Sequence, residues 1–291
     1  MGKLQSSIQK AIEKSRRSRS GETRSRTESS PLETLHEEES SSSSDFEATG
    51  SATDSFRVLH TAQTDSEVME ESRFVSEVDD RAATAAYKML RTRVLQRMRN
   101  NNWQSLLVTS AGAGEGKTLT ASNLALSISR DVNQSVLLVD LDLQRSKVAK
   151  YFGIDDDIGK GIGEYLIGKA ELPDIVYTPS GLQRISIIPN REPVAHSSDL
   201  LSGPRMKQLL AWIRQQSGRT IVIFDTPPVL VDDDVLVFCP YIDAVLLVVS
   251  QGETDRVALE KAMSLLAETD LLGVVLNRCD ESSGDSAYGY Y

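Results

Sequence analysis

The 291-residue sequence predicts a doubly wound α/β fold: a mostly parallel sheet flanked by helices over residues 73–283, preceded by a disordered N-terminal region. Three observations predict it. Short apolar runs alternate with helical stretches, the pattern of repeated βαβ units. Several of those runs are continuous Val, Ile and Leu rather than alternating, which suits strands covered on both faces. Three runs end on chemically distinctive residues, where sheets of this kind hold ligands, beyond the carboxyl ends of their strands.

The elements follow in chain order. Leu4, Ile8, Ala11 and Ile12 fall at helical spacing among Lys3, Lys10, Lys14, Arg16 and Arg17. Residues 1–20 therefore read as a short basic amphipathic helix that docks on a partner or an anionic membrane surface, or else as a solvated, transiently helical tail. Residues 21–72 are rich in Ser, Glu and Thr, include the run Ser40–Ser44, and show little apolar periodicity. Such a segment buries too little apolar surface to offset its ordering entropy and reads as a disordered linker. A helix is expected over Asp79–Arg99, with Ala83, Ala86, Tyr87, Leu90, Val94 and Met98 as its apolar stripe. Strands are expected at Leu106–Thr109, Val136–Val139, Ile185–Ile188, Ile221–Phe224, Val245–Val249 and Val274–Leu276, and helices at Thr118–Arg130, Met206–Gln216 and Arg256–Thr269. Gly159, Gly161 and Gly163 do not follow a strand and read as a loop. Residues 284–291 form a short tail carrying three tyrosines.

Charge and composition narrow the function. The chain is acidic, at a formal −10, and the charge is uneven: about +6 over residues 1–26 and about −11 over residues 27–72. An acidic chain lacks the basic face that nucleic acid requires. Two cysteines, Cys239 and Cys279, make no disulfide framework, and His36, His60 and His196 have no metal-ligand spacing. The longest apolar runs, such as Ala244–Val249, are far shorter than the roughly 18 residues that span a bilayer. The N-terminus shows no apolar signal core.

Three motifs carry the chemistry. The first runs from Leu106 through Ser110, Ala111, Gly112, Ala113, Gly114, Glu115, Gly116, Lys117, Thr118 and Leu119, entering the helical stretch expected over Thr118–Arg130. A strand, a glycine-rich turn ending Gly-Lys-Thr and a helix form the phosphate loop of P-loop NTPases. Glycines let several N–H groups converge on an anion, and the helix terminus adds its positive end. Lys117 reaches the outer phosphates of ATP and the Thr118 hydroxyl binds Mg²⁺. Ala111 stands where the strict pattern has its first glycine. The second motif closes Val136–Val139 with Asp140 and Asp142, two acids that a buried strand end does not need unless they serve a metal or a proton. The third closes Ile221–Phe224 with Asp225, followed by Pro227 and Pro228, which stop the strand. A strand-terminal aspartate suits the metal side of a nucleotide site.

Together, Thr109–Thr118, Asp140-Leu-Asp142 and Asp225-Thr-Pro-Pro228 resemble the bacterial tyrosine kinases of capsule and exopolysaccharide synthesis. Ser198–Met206 and Gly273–Arg278 resemble the same family, and the likeness extends over roughly residues 80–291. It implies a cytoplasmic kinase using ATP and Mg²⁺, with Lys117, Asp140, Asp142 and Asp225 catalytic, and Thr118, Asp140, Asp142 and Asp225 on the metal. One of the two paired acids would accept the tyrosine proton, Asp140 being preferred. Asn277 and Arg278 would frame the adenine, and Asp234 matches an acidic position of the family. The resemblance also implies autophosphorylation of Tyr288, Tyr290 and Tyr291 between subunits of a homo-oligomer. The partners it implies are a separate transmembrane polysaccharide chain-length regulator, which recruits the kinase to the inner face of the plasma membrane, and a cognate tyrosine phosphatase.

The chromosome-partitioning ATPases, relatives within the wider fold, carry an extra lysine at the position of Gly112, which this chain lacks. It also departs from the kinases at Ala113 and Ser146, where they have proline, and at Gln144, where they have arginine. A helical Glu-x-x-Arg-x-x-Arg pattern that supports their ring assembly is matched here by Ala85, Lys88 and Arg91, without the acid. Two other functions fit the motifs: a P-loop ATPase acting as a localisation switch, and a nucleotide-binding scaffold without turnover.

Overall fold

The computed structural model describes residues 60–71, 74, 81–215 and 220–279. The basic N-terminal segment, the linker up to residue 59 and the tyrosine tail lie outside the described residues.

Eight strands form one sheet: β1 (His60–Ala62), β2 (Ser105–Ser110), β3 (Ser135–Asp140), β4 (Tyr177–Pro179), β5 (Ile185–Ile188), β6 (Thr220–Asp225), β7 (Ala244–Ser250) and β8 (Leu271–Asn277). Their order is β1-β4-β5-β3-β6-β2-β7-β8, and every neighbouring pair is parallel except β4 with β5. The continuous Val/Ile/Leu runs occupy the middle of this order, and β6 and β7 are buried along their whole length. Helices α1 (Ser66–Glu71), α2 (Arg81–Asn101), α3 (Lys117–Ser129), α4 (Val148–Tyr151), α5 (Ile162–Leu166), α6 (Ser197–Leu201), α7 (Pro204–Arg214), α8 (Asp234–Phe238) and α9 (Arg256–Leu265) connect and cover the strands. Every residue of α3 except Leu119 is buried, so this helix packs as core rather than as a surface helix.

The expected strands each extend by one to three residues at one or both ends, apart from Ile185–Ile188, and the helix expected over Asp79–Arg99 runs over Arg81–Asn101. On α2, Val94, Leu95 and Met98 are buried, whereas Ala83 and Ala86 at the other end of the expected stripe are not. Gly163 lies inside α5 instead of within a loop, and Gly161 caps that helix: its N–H donates to Glu164 Oε2 at 2.8 Å. The linker expected over residues 21–72 is corrected in its last part, because residues 60–62 are a strand and residues 66–71 a helix. β1 pairs with β4, Asp65 Oδ1 accepts the Glu67 amide at 2.9 Å at the start of α1, and the Asp65 amide donates to the Gly153 carbonyl at 3.0 Å. The Phe74 ring meets Phe152 edge-on, with centroids 4.7 Å apart. A few scattered apolar residues, Ala62, Met69 and Phe74, supply this docking, so no helical or strand period marks it.

The topology gathers the three motifs. β3, β6 and β2 are neighbours in the sheet, with Asp140 in register with Asp225 and Asp225 in register with Val108. The phosphate loop and all three aspartates therefore emerge at one edge of the sheet.

Candidate functional site

The loop between β2 and α3 curls because its glycines allow it. Gly114 and Gly116 have φ of +82° and +91°, a region that side chains rarely enter. At Gly116 even a methyl group would lie 2.1 Å from Asn277 Nδ2. At Gly114 the space is open, and Ala113 and Gly114 are exposed. Ala111, in place of a glycine, is fully buried and does not have a positive φ, so it fits the same turn. α3 starts at Lys117, directing its unpaired amides and dipole at the concavity.

Lys117 sits among the acids. Its Nζ donates to Asp142 Oδ2 at 2.6 Å, lies 3.8 Å from Asp225 Oδ1, and is 3.2 Å from Thr118 Oγ1. Burial alone would lower the Lys117 pKa, but the Asp225 and Asp142 carboxylates outweigh it and raise it. Asp225 is fully buried and neither of its oxygens has a hydrogen-bond partner. Burial pushes its pKa up to about 6, against the pull of Lys117 and the nearby Thr118 hydroxyl.

Asp140 is engaged by backbone amides. Its Oδ1 accepts the Asp142 amide at 3.1 Å, and its Oδ2 accepts the amides of Lys147 and Val148, each at 3.1 Å. The side chain thus organises the turn into α4. Burial, with the Asp225 carboxylate adding to it, pushes its pKa up to about 8 in spite of those amides. Asp142 keeps one oxygen on the Arg145 amide at 3.1 Å and turns the other to Lys117.

Asn277 and Arg278, at the end of β8, reach the phosphate loop. Asn277 Nδ2 donates to the Glu115 carbonyl at 2.9 Å. The Arg278 guanidinium donates to the Gly114 carbonyl at 2.7 Å and pairs with Glu253. Asp234 is buried at the start of α8, where its Oδ1 accepts from the Ser197 hydroxyl at 2.9 Å. Two contributors escaped the sequence reading, Thr254 and Ser197. Thr254 donates to Glu115 Oε1 at 2.5 Å, and no spacing signal links residues 139 positions apart.

The residues fit a divalent cation. Asp225 is a buried carboxylate whose oxygens accept no hydrogen bond and face the Lys117 ammonium at 3.8 Å, and Thr118 and Asp142 complete a set of hard oxygen donors of the kind Mg²⁺ takes. The curl at Gly112–Gly116, open at Gly114 and with Lys117 beside it, fits phosphates. No helix among the described residues is long and apolar enough to cross a membrane.

Comparison with known proteins agrees with this geometry. The AAA domain family matches residues 106–273. Tyrosine-protein kinase YwqD of Bacillus subtilis is 31% identical over 207 residues, spanning 70% of this chain and 84% of YwqD. Tyrosine-protein kinase CpsD of Streptococcus agalactiae is 30% identical over 188 residues, spanning 64% of this chain and 79% of CpsD. The kinase domain of the Escherichia coli tyrosine kinase ETK superposes with a TM-score of 0.64 at 29% identity, covering 80% of this chain and 94% of that domain. A P-loop at the end of β2, acids at the ends of β3 and β6, and these likenesses place the chain in the AAA domain family and in the family of bacterial tyrosine-protein kinases.

Proposed function

We propose that this chain transfers the γ-phosphoryl group of ATP to tyrosine hydroxyls, those of its own Tyr288, Tyr290 and Tyr291 included, with another subunit as the acceptor. The observation that carries the reading is the convergence of Lys117, Thr118, Asp142 and Asp225 on the mouth of a glycine-rich loop. The printed names of YwqD, CpsD and ETK support tyrosine as acceptor, as does a tail with three tyrosines among its last four residues.

Loop amides and the α3 terminus bind the phosphate oxygens, and Lys117 moves its ammonium onto the transferring group, where charge spreads in the transition state. Mg²⁺ held by Thr118 and Asp225 would neutralise further phosphate charge. Once Lys117 turns to phosphate, Asp142 Oδ2 is released to accept the tyrosine proton. Asp140 keeps the Asp142 backbone in place through the bond to its amide. Asn277 and Arg278 border the side of the loop where the adenine would lie. In the cell, the family likeness points to control of exopolysaccharide or capsule polymerisation and export, with a separate transmembrane chain-length regulator as activator at the inner membrane face and a tyrosine phosphatase as antagonist.

The test is incubation of the full chain with Mg-ATP, with and without a cytosolic activator fragment, followed by an anti-phosphotyrosine readout. A phosphotyrosine signal that requires Lys117 supports the reading. ATP hydrolysis without that signal, activator included, turns it toward a switch ATPase, and nucleotide binding without turnover toward a scaffold.

A further inference from the structure

Glu115 is an acid within a loop whose glycines, lysine and helix terminus gather positive potential for an anion. A carboxylate here repels the phosphates the loop is read to bind, so a space-filling role does not account for its charge. It is buried, at 5% exposure, and both of its oxygens are in use. Oε2 accepts the Ala111 amide at 2.9 Å, which staples the start of the loop to its end. Oε1 accepts the Thr254 hydroxyl at 2.5 Å, on the segment joining β7 to α9. Thr254 Oγ1 accepts the Ser250 amide at 2.8 Å, which fixes that hydroxyl to the end of β7. The Glu115 carbonyl is held from β8 by Asn277. One residue thus ties the loop to itself and to the ends of two further strands.

Ordering a glycine-rich turn costs about 1–2 kcal/mol of conformational entropy per residue, and a site ordered in advance does not spend that from its binding energy. We propose that Glu115 is a positioning residue that, through Thr254, holds the phosphate loop in its anion-binding shape before nucleotide arrives. This deepens the nucleotide-site reading above and rests on it.

The experiment is calorimetric titration of Mg-ATP into the full chain and into E115A, E115Q, T254V and the E115A/T254V double variant, with turnover kinetics alongside. E115A and T254V should each weaken binding roughly tenfold, equivalent to about 1.4 kcal/mol. The double variant should be no weaker than E115A, because the two groups act through one bond. E115Q, whose amide can reach both partners, should bind as tightly as the wild type or more tightly. In turnover, KM should rise with kcat unchanged, because loop shape serves ground and transition states alike. Wild-type affinity in both E115A and T254V, or additive losses in the double variant, overturns the proposal while leaving the site reading intact. Should E115A fail to fold, the near-isosteric T254V decides alone. A wild-type chain that takes up no Mg-ATP overturns both.

Discussion

Asp140 and Asp225 stand in register at the ends of adjacent parallel strands, yet their carboxylates do opposite things. Asp140 is satisfied by three backbone amides, whereas Asp225 is equally buried and accepts none. The first is an element of the fold and the second is free to serve a ligand. D140A should therefore destabilise the protein by roughly 2 kcal/mol or more, since the Asp142 and Val148 amides are buried and each one left unpaired costs about 1–3 kcal/mol. D225N should keep or raise the stability of the ligand-free protein while abolishing Mg-ATP binding. Urea unfolding combined with calorimetry checks the pair, and equal stability losses in the two variants would contradict this division.

Lys117 supplies the charge that Asp142 and Asp225 share. K117M leaves them uncompensated, so stability at pH 8 should fall by about 3–5 kcal/mol. At pH 5 the loss should be smaller, because Asp225, raised to about 6 by burial, is then protonated and needs no partner. Denaturant titrations at the two pH values read this directly.

Two glycines of the loop differ in what surrounds them. A methyl group at Gly116 would strike Asn277 Nδ2 and take on a φ of +91°, while one at Gly114 meets only the strain of its φ. G114A should cost about 1 kcal/mol of stability and keep Mg-ATP binding. G116A should cost more and lose binding, because the Asn277 tie to the Glu115 carbonyl is displaced with it.

Asp234 predicts a pH dependence. Burial pushes its pKa up to about 6, the Ser197 hydroxyl pulling the other way. A raised carboxyl favours the protonated fold, so its contribution is complete below about pH 4 and is lost as pH rises through about 6. A shift of this size is worth up to about 3 kcal/mol. D234N keeps an acceptor for Ser197 and does not titrate. Its stability relative to wild type should therefore climb between pH 4 and pH 7, and unfolding curves parallel across that range would refute the assignment.

How much of this the residues announce in advance follows from physics. The central strands were legible because a strand covered on both faces needs a continuous run such as Val136–Val139 or Val245–Val249. Gly116-Lys117-Thr118 was legible because a phosphate loop is local in sequence. β4 is three residues with a proline and carries no period, and β1 and α1 dock through single apolar side chains. The separate tasks of Asp140 and Asp142 depend on where the amides of Lys147 and Val148 return, which two acids two residues apart do not encode. The Glu115–Thr254 bond joins loops that only the folded sheet brings together.

Tandem mass spectrometry of residues 280–291, after incubating the full chain and K117M with Mg-ATP and the activator fragment, tests the central claim most directly. Phosphate is expected on Tyr288, Tyr290 or Tyr291 in the wild type and on none of them in K117M. Consumption of ATP by the wild type with those tyrosines unmodified would contradict it.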